Sequence, residues 1–119
     1  MKRLAGVCAA ALLAAGCGDG GGSETKTVVI PIGSNEQHGP TGLLGTDWLC
    51  PEIISHAAEQ QDESLVVAPT FNIGMAQHHL DFPGTIALRP STFMLAIGDW
   101  CRSLSHAGFE KLYFLNGHG

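Results

Sequence analysis

Three features of this sequence predict an α/β fold, a three-layer α/β/α arrangement with a mainly parallel sheet. Three short runs are apolar almost throughout, which is the pattern of strands buried on both faces. Two stretches of helical periodicity alternate with them, giving strand, helix, strand, helix, strand: two βαβ units with right-handed crossovers. Each run empties into a polar loop that carries histidine or carboxylate, and in such sheets ligands bind beyond the carboxyl ends of the strands.

The first run is Thr27-Val28-Val29-Ile30-Pro31-Ile32, rich in β-branched residues. A helix should follow the loop around Asp47, because Leu49, Ile53, Ile54, Ala57 and Ala58 recur at helical spacing up to residues 60–61. Proline is tolerated in a first turn, so Pro51 puts the start of that helix at residues 48–50. The second strand is predicted over residues 65–70, and a long loop, residues 71–89, comes after it. Pro90-Ser91-Thr92 then opens a second helix, whose stripe of Phe93, Met94, Ile97, Trp100, Cys101 and Leu104 reads as core, with Gly108 as its stop. The third strand, residues 111–115, leads directly into Asn116-Gly117-His118-Gly119.

Ahead of this unit the chain has a different character. Residues 1–17 read as a lipoprotein signal peptide: Lys2 and Arg3 form a basic start, and residues 4–15 an apolar segment too short to cross a bilayer as a helix. Leu13-Ala14-Ala15-Gly16-Cys17 is similar to the bacterial lipobox, which would make Cys17 the lipidated residue. An ordinary secretory signal cleaved near Gly16 is the alternative, and both export the chain. The expected location is the bacterial cell envelope, lipid-anchored to a membrane on its periplasmic or outer face. Residues 18–26, glycine-rich at their start, read as a flexible tether.

Composition narrows the classes of partner. Eleven Asp and Glu against six Lys and Arg leave no basic patch for nucleic acid and no polybasic surface for lipid, which points to small molecules. Cys8 falls in the leader, so Cys50 and Cys101 remain in the mature part. An oxidising compartment would allow a bridge between them, but counting does not settle it, and neither has the C-x-x-C spacing of a redox or zinc motif.

The chemistry concentrates in one loop. Glu36 and His38 flank a single residue, and Asp47 follows nine positions later, in a Gly/Pro-rich loop directly after the first strand. One carboxylate oxygen and one imidazole nitrogen suit zinc or manganese. A second carboxylate with two oxygens could hold two ions, as in binuclear hydrolases. Gln77, His78 and His79 follow the second strand and Asn116 and His118 the third, so the topology should gather these residues at one sheet edge. His56 and His106 lie on helices away from that edge and read as surface residues. Ser34 and Cys50 have no evident histidine–acid partner for a nucleophilic role. A metallophosphoesterase fits poorly, because the paired Asp motifs it requires are missing.

Taken together, Gly33-Ser34-x-Glu36-Gln37-His38-Gly39-Pro40, Gly45-Thr46-Asp47, His79-Leu80-x-Phe82-Pro83-Gly84-Thr85 and Asn116-Gly117-His118-Gly119 resemble the creatininase (creatinine amidohydrolase) family. The resemblance covers the chain after the tether, residues 27–119. It implies an α/β metalloenzyme with a binuclear zinc or manganese centre that hydrolyses non-peptide or cyclic amide C–N bonds, often as a homohexamer. Relatives known by such resemblance include a formamide hydrolase and a peptidase acting on a redox-cofactor precursor.

Carried over by position, Glu36, Asp47 and His118 would hold one metal, and His38 with the shared Asp47 the second. His79 would face a small amide substrate, His78 stands where many members have glutamate, and the Phe82-Pro83-Gly84-Thr85 turn would serve as scaffold. The resemblance also implies a domain continuing past Gly119, with the remaining metal ligand and the general acid/base there. The competing reading is a membrane-anchored lipoprotein that binds a metal or ligand without turnover.

Overall fold

The computed structural model describes residues 26–118. The expected leader with Cys17, the tether apart from Lys26, and Gly119 lie outside the described residues. The elements run β1 (Thr27–Ile32), α1 (Thr46–Glu59), β2 (Leu65–Val67), a single 3₁₀ turn (Gln77–His79), α2 (Pro90–His106) and β3 (Lys111–Asn116). The strands pair in parallel in the order β2-β1-β3, with Thr27 opposite both Leu65 and Lys111. The parallel α/β expectation therefore holds.

β1 is central because its sequence can be buried on both faces. Val28, Val29, Ile30, Pro31 and Ile32 are all buried, and they form most of the apolar core. The helices cover opposite faces. Ile54, Ser55 and Ala58 of α1 border a gap shared with Val29, Tyr113 and Leu115, whereas Phe93 and Ile97 of α2 border one shared with Ile32 and Phe114. Adjacent strands β1 and β2 thus send their connections to opposite sides of the sheet, which opens a crevice at their carboxyl ends.

Several elements differ from the sequence expectation for physical reasons. β2 is shorter than predicted, since Pro69 has no N–H to give the ladder; pairing resumes as a parallel bridge between Ile32 and Phe71, where the Phe71 N–H donates to the Pro31 carbonyl at 2.8 Å. The aromatic ring of Phe71 then meets Phe93 and Trp100 edge-on, with centroids 5.6 and 5.3 Å apart. Trp100 packs as expected, but Met94 is 70% exposed. It sits one residue, about 100°, round the helix from the row of Phe93, Ile97 and Trp100 that meets the sheet. α2 ends where predicted, with Gly108 and Phe109 N–H groups capping the carbonyls of Ser105 and Leu104 in a Schellman arrangement. Cys50 and Cys101 are free thiols.

The largest correction concerns α1. It begins at Thr46 rather than at residues 48–50, so Pro51 lies beyond the first turn, and its buried row is Asp47, Pro51 and Ser55 while Ile53 and Ile54 are exposed. Pro51 has no N–H for the carbonyl of Asp47 four residues earlier. That carbonyl instead faces the backbones of Gly33 and Gly117, where a Cβ at either position would collide with it. Small, close contacts bring this end of α1 down onto the sheet edge. Gly117→Ala should therefore cost about 1–3 kcal/mol of stability by overpacking. Gly98→Ala in α2, where a Cβ would meet only the flexible end of Arg102, should be neutral or mildly stabilising. Urea unfolding midpoints of the two variants provide the check.

Candidate metal centre

Three loops converge beyond the carboxyl ends of the strands. Backbone hydrogen bonds tie them: Gly33 N–H to the Phe71 carbonyl (3.1 Å), Ser34 N–H to the His118 carbonyl (3.2 Å) and Gly117 N–H to the Ile32 carbonyl (2.9 Å). The loop holding Phe82, Pro83, Gly84 and Thr85 is latched to the loop after β1. Asn35 donates its side-chain N–H to the Gly84 carbonyl (3.0 Å), Thr85 Oγ1 accepts from the Gln37 N–H (3.2 Å), and Ile86 N–H reaches the Asn35 carbonyl (3.0 Å). The scaffold role expected for this turn fits these bonds.

At the centre lie two carboxylates, Glu36 and Asp47, which are 1% and 5% exposed. Burying a carboxylate is costly without a compensating charge. Among the described residues, the cationic or potentially cationic groups within ion-pair distance of them are imidazoles alone: His38, His79 and His118. His118 Nδ1 stands 3.2 Å from Glu36 Oε1 and 3.1 Å from Asp47 Oδ2. His38 Nε2 stands 3.0 Å from the other Asp47 oxygen, Oδ1. Residues from the first and third strand loops, 82 positions apart in the case of Glu36 and His118, thus meet as the topology predicts. His56 and His106 are exposed and remote, as expected.

Two details define what this arrangement can hold. His38 Nδ1 lies 3.0 Å from the Glu36 backbone carbonyl. A carbonyl only accepts, so Nδ1 carries a proton and the Nε2 lone pair of the neutral ring faces a carboxylate oxygen. That pairing is repulsive unless a proton or a cation lies between. Ser34, fully buried, places Oγ 2.6 Å from Glu36 Oε2 and 2.9 Å from Asp47 Oδ2. One hydroxyl proton serves two acidic acceptors, which again leaves the centre short of positive charge. The site thus has the donors and the charge deficit of a divalent-cation site: carboxylate oxygens and imidazole nitrogens, of the kind that zinc and manganese accept.

Sequence reasoning missed Ser34 as part of the centre. Its position inside the loop pattern gave no sign that its hydroxyl sits between both acids. The roles of Gly33 and Gly117 against the Asp47 carbonyl were also hidden, although Pro51 in the middle of a helical pattern was a usable signal for a freed carbonyl.

In the absence of metal, protons must fill the deficit. The His38 pKa is raised above the usual imidazole value, foremost by the hydrogen bond to the Glu36 carbonyl and further by Asp47, against the opposing effect of desolvation. That of His118 is raised foremost by its hydrogen bond to Asp47, then by the charges of Asp47 and Glu36. A raised folded value contributes stability that is fully present below the unfolded value of about 6.5 and is lost as pH rises through the folded value. Chelator-treated protein should therefore lose stability as pH rises above about 6.5, with a small amplitude because both rings reach solvent. His118→Gln should flatten the dependence in urea titrations run at several pH values. Divalent ions should act oppositely, binding more tightly as pH rises because they need neutral imidazole.

Comparison with known proteins agrees with this geometry. The family profile described as "Creatininase: Creatinine amidohydrolase" matches residues 20–119. The chain is 34% identical over 102 residues to a mycofactocin precursor peptide peptidase of Mycolicibacterium smegmatis, covering 82% of this chain and 41% of that protein. It is 30% identical over 99 residues to a 3-dehydro-scyllo-inosose hydrolase of Thermotoga maritima, covering 81% and 31%. With a creatinine amidohydrolase of Pseudomonas putida it shares 28% identity over 96 residues, covering 76% and 36%. The chain thus spans less than half the length of these curated relatives. Among solved structures, it is similar to a mutant creatininase of "Zn-Zn type" (27% identity, TM-score 0.72) and to "Creatininase Mn" (27%, TM-score 0.74), each covering 79% of this chain and 38% of the other. Four motifs in order, the parallel sheet that gathers them and a profile match across the folded region lead to one conclusion: this chain belongs to the creatininase family.

Proposed function

We propose that this protein acts in metal-dependent hydrolysis of amide C–N bonds, non-peptide or cyclic, through a centre of two divalent ions, zinc or manganese. The observation that carries the reading is the division of labour at Asp47: Oδ1 faces His38 Nε2 at 3.0 Å and Oδ2 faces His118 Nδ1 at 3.1 Å. A carboxylate so disposed can bridge. Glu36, Asp47 and His118 would hold one ion, and His38 with Asp47 the other. The similarity to solved zinc and manganese creatininases supports this choice of ions.

Bound divalent ions supply Lewis acidity, which polarises a carbonyl and makes hydroxide available near neutral pH. The chain's own residues do the rest of what can be derived. The Glu36 carbonyl holds His38 in the tautomer whose Nε2 is free to coordinate. Ser34 steadies both carboxylates from below. His79, 31% exposed at its side chain, borders the centre and would face an amide substrate. Among the described residues we assign no general acid.

Manganese content per chain tests the ligand roles. Asp47→Ala should abolish binding of both manganese ions, whereas His38→Ala should remove mainly one. Equal loss in the two variants would sink Asp47 as the bridge. Wild-type protein that takes up no manganese at all would leave the anchored, non-catalytic binding protein as the better reading.

We also propose that the protein is exported and lipid-anchored through Cys17, on the strength of the basic start, the apolar segment and the lipobox-like Leu13-Ala14-Ala15-Gly16-Cys17. Expressed in a bacterial host, it should partition with membranes, and Cys17→Ser should shift it to the soluble or unprocessed fraction. An unchanged distribution would point to an ordinary signal.

A further inference from the structure

One donor group is left over once the two proposed ions are accounted for. His78 and His79 occupy the 3₁₀ turn after β2, held by the His79 N–H to the Ala76 carbonyl (3.0 Å) and the Phe82 N–H to the His79 carbonyl (3.0 Å). Their rings lie side by side with centroids 4.2 Å apart, and the ring of Phe82 meets that of His79 edge-on at 5.9 Å. Ligand atoms of Glu36, His78 and His79 fall within 4.8 Å of one another. His79 Nδ1 is buried with no hydrogen-bond partner, yet it lies 3.5 Å from Glu36 Oε1. A buried, unpartnered ring nitrogen 3.5 Å from a carboxylate oxygen is at the spacing of two donors to one ion set beside them.

We infer that Glu36, His78 and His79 form a further cation site at the rim of the centre. Two imidazoles and one carboxylate make a borderline set, suited to iron(II), zinc, cobalt, nickel or copper, binding manganese more weakly than these and poor for magnesium or calcium. The site draws on Glu36 Oε1, the same oxygen that stands 3.2 Å from His118 Nδ1. Glu36 Oε2 is already engaged by Ser34. An ion at the rim therefore competes for Oε1 with an ion held by Asp47 and His118, and the rim fills when late transition metals are in excess. His78 is exposed, which gives the site direct access from solvent.

The inference uses none of Asp47, His38 and His118, so it can be tested where the proposed binuclear centre is disabled. Copper or zinc binding would be measured by titration calorimetry on Asp47→Ala and on Asp47→Ala combined with His79→Gln or with His78→Ala, with far-UV circular dichroism to verify the fold. Asp47→Ala should retain one copper ion whose electron paramagnetic resonance spectrum shows imidazole nitrogen couplings. Each added histidine substitution should weaken it at least about tenfold, while His56→Ala, remote on α1, should leave it unchanged. Asp47→Ala that binds no copper, or binding that survives both histidine substitutions, would overturn the site. Failure of the hydrolase reading gives a different result, because wild-type protein would then take up no manganese while copper retention in Asp47→Ala persisted.

Discussion

Everything at the carboxyl edge of this sheet depends on two acids buried side by side with, among the described residues, no lysine or arginine to balance them. Glu36 and Asp47 together would be a liability in a domain of this size, where net stability is a small difference between large terms. The surrounding structure can be understood as the means of holding them there. Backbone ties from the loops after β2 and β3 fix the loop after β1, a serine hydroxyl lies between the acids, and imidazoles approach from three loops. A polar cluster that is partly satisfied is more costly than an apolar core unless something completes it. Divalent cations fit that need, which is why the geometry and the family resemblance lead to the same chemistry.

The helix that carries Asp47 illustrates how the fold serves this centre. Most helices on a sheet bury an aliphatic stripe, yet α1 leaves Ile53 and Ile54 exposed and seats Asp47, Pro51 and Ser55. The ring of Pro51 and the small Ser55 let the helix sit low. Proline also releases the Asp47 carbonyl, and the glycines at 33 and 117 leave space for it. The side chain of Asp47 is thereby aimed from a rigid element rather than from a loop, with its two oxygens presented to different neighbours.

Much of this was legible in the sequence because it was written in local patterns. The apolar runs gave the strands, the alternation gave the parallel sheet, and the rule that ligands gather beyond strand ends brought Glu36 and His118 together across most of the chain. What escaped was tertiary in origin. Periodicity gave α1 an apolar stripe without saying which face the sheet would take. It likewise grouped Met94 with Trp100, though only the row of Phe93, Ile97 and Trp100 meets the sheet. A buried hydroxyl such as Ser34 is indistinguishable in sequence from a loop serine in water, because what sets its role is the approach of residue 47 from another element.

The hydrogen bond from His38 to the main-chain carbonyl of Glu36 has an evolutionary corollary. In many metal sites the partner that selects the histidine tautomer is another side chain and can be lost by substitution. Here the partner belongs to the backbone of the residue two positions earlier. No exchange of side chain at position 36 can delete it, so ligand identity there can drift while His38 keeps presenting the same nitrogen. The loop's shape, rather than its chemical lettering, is what inheritance must preserve for this half of the centre.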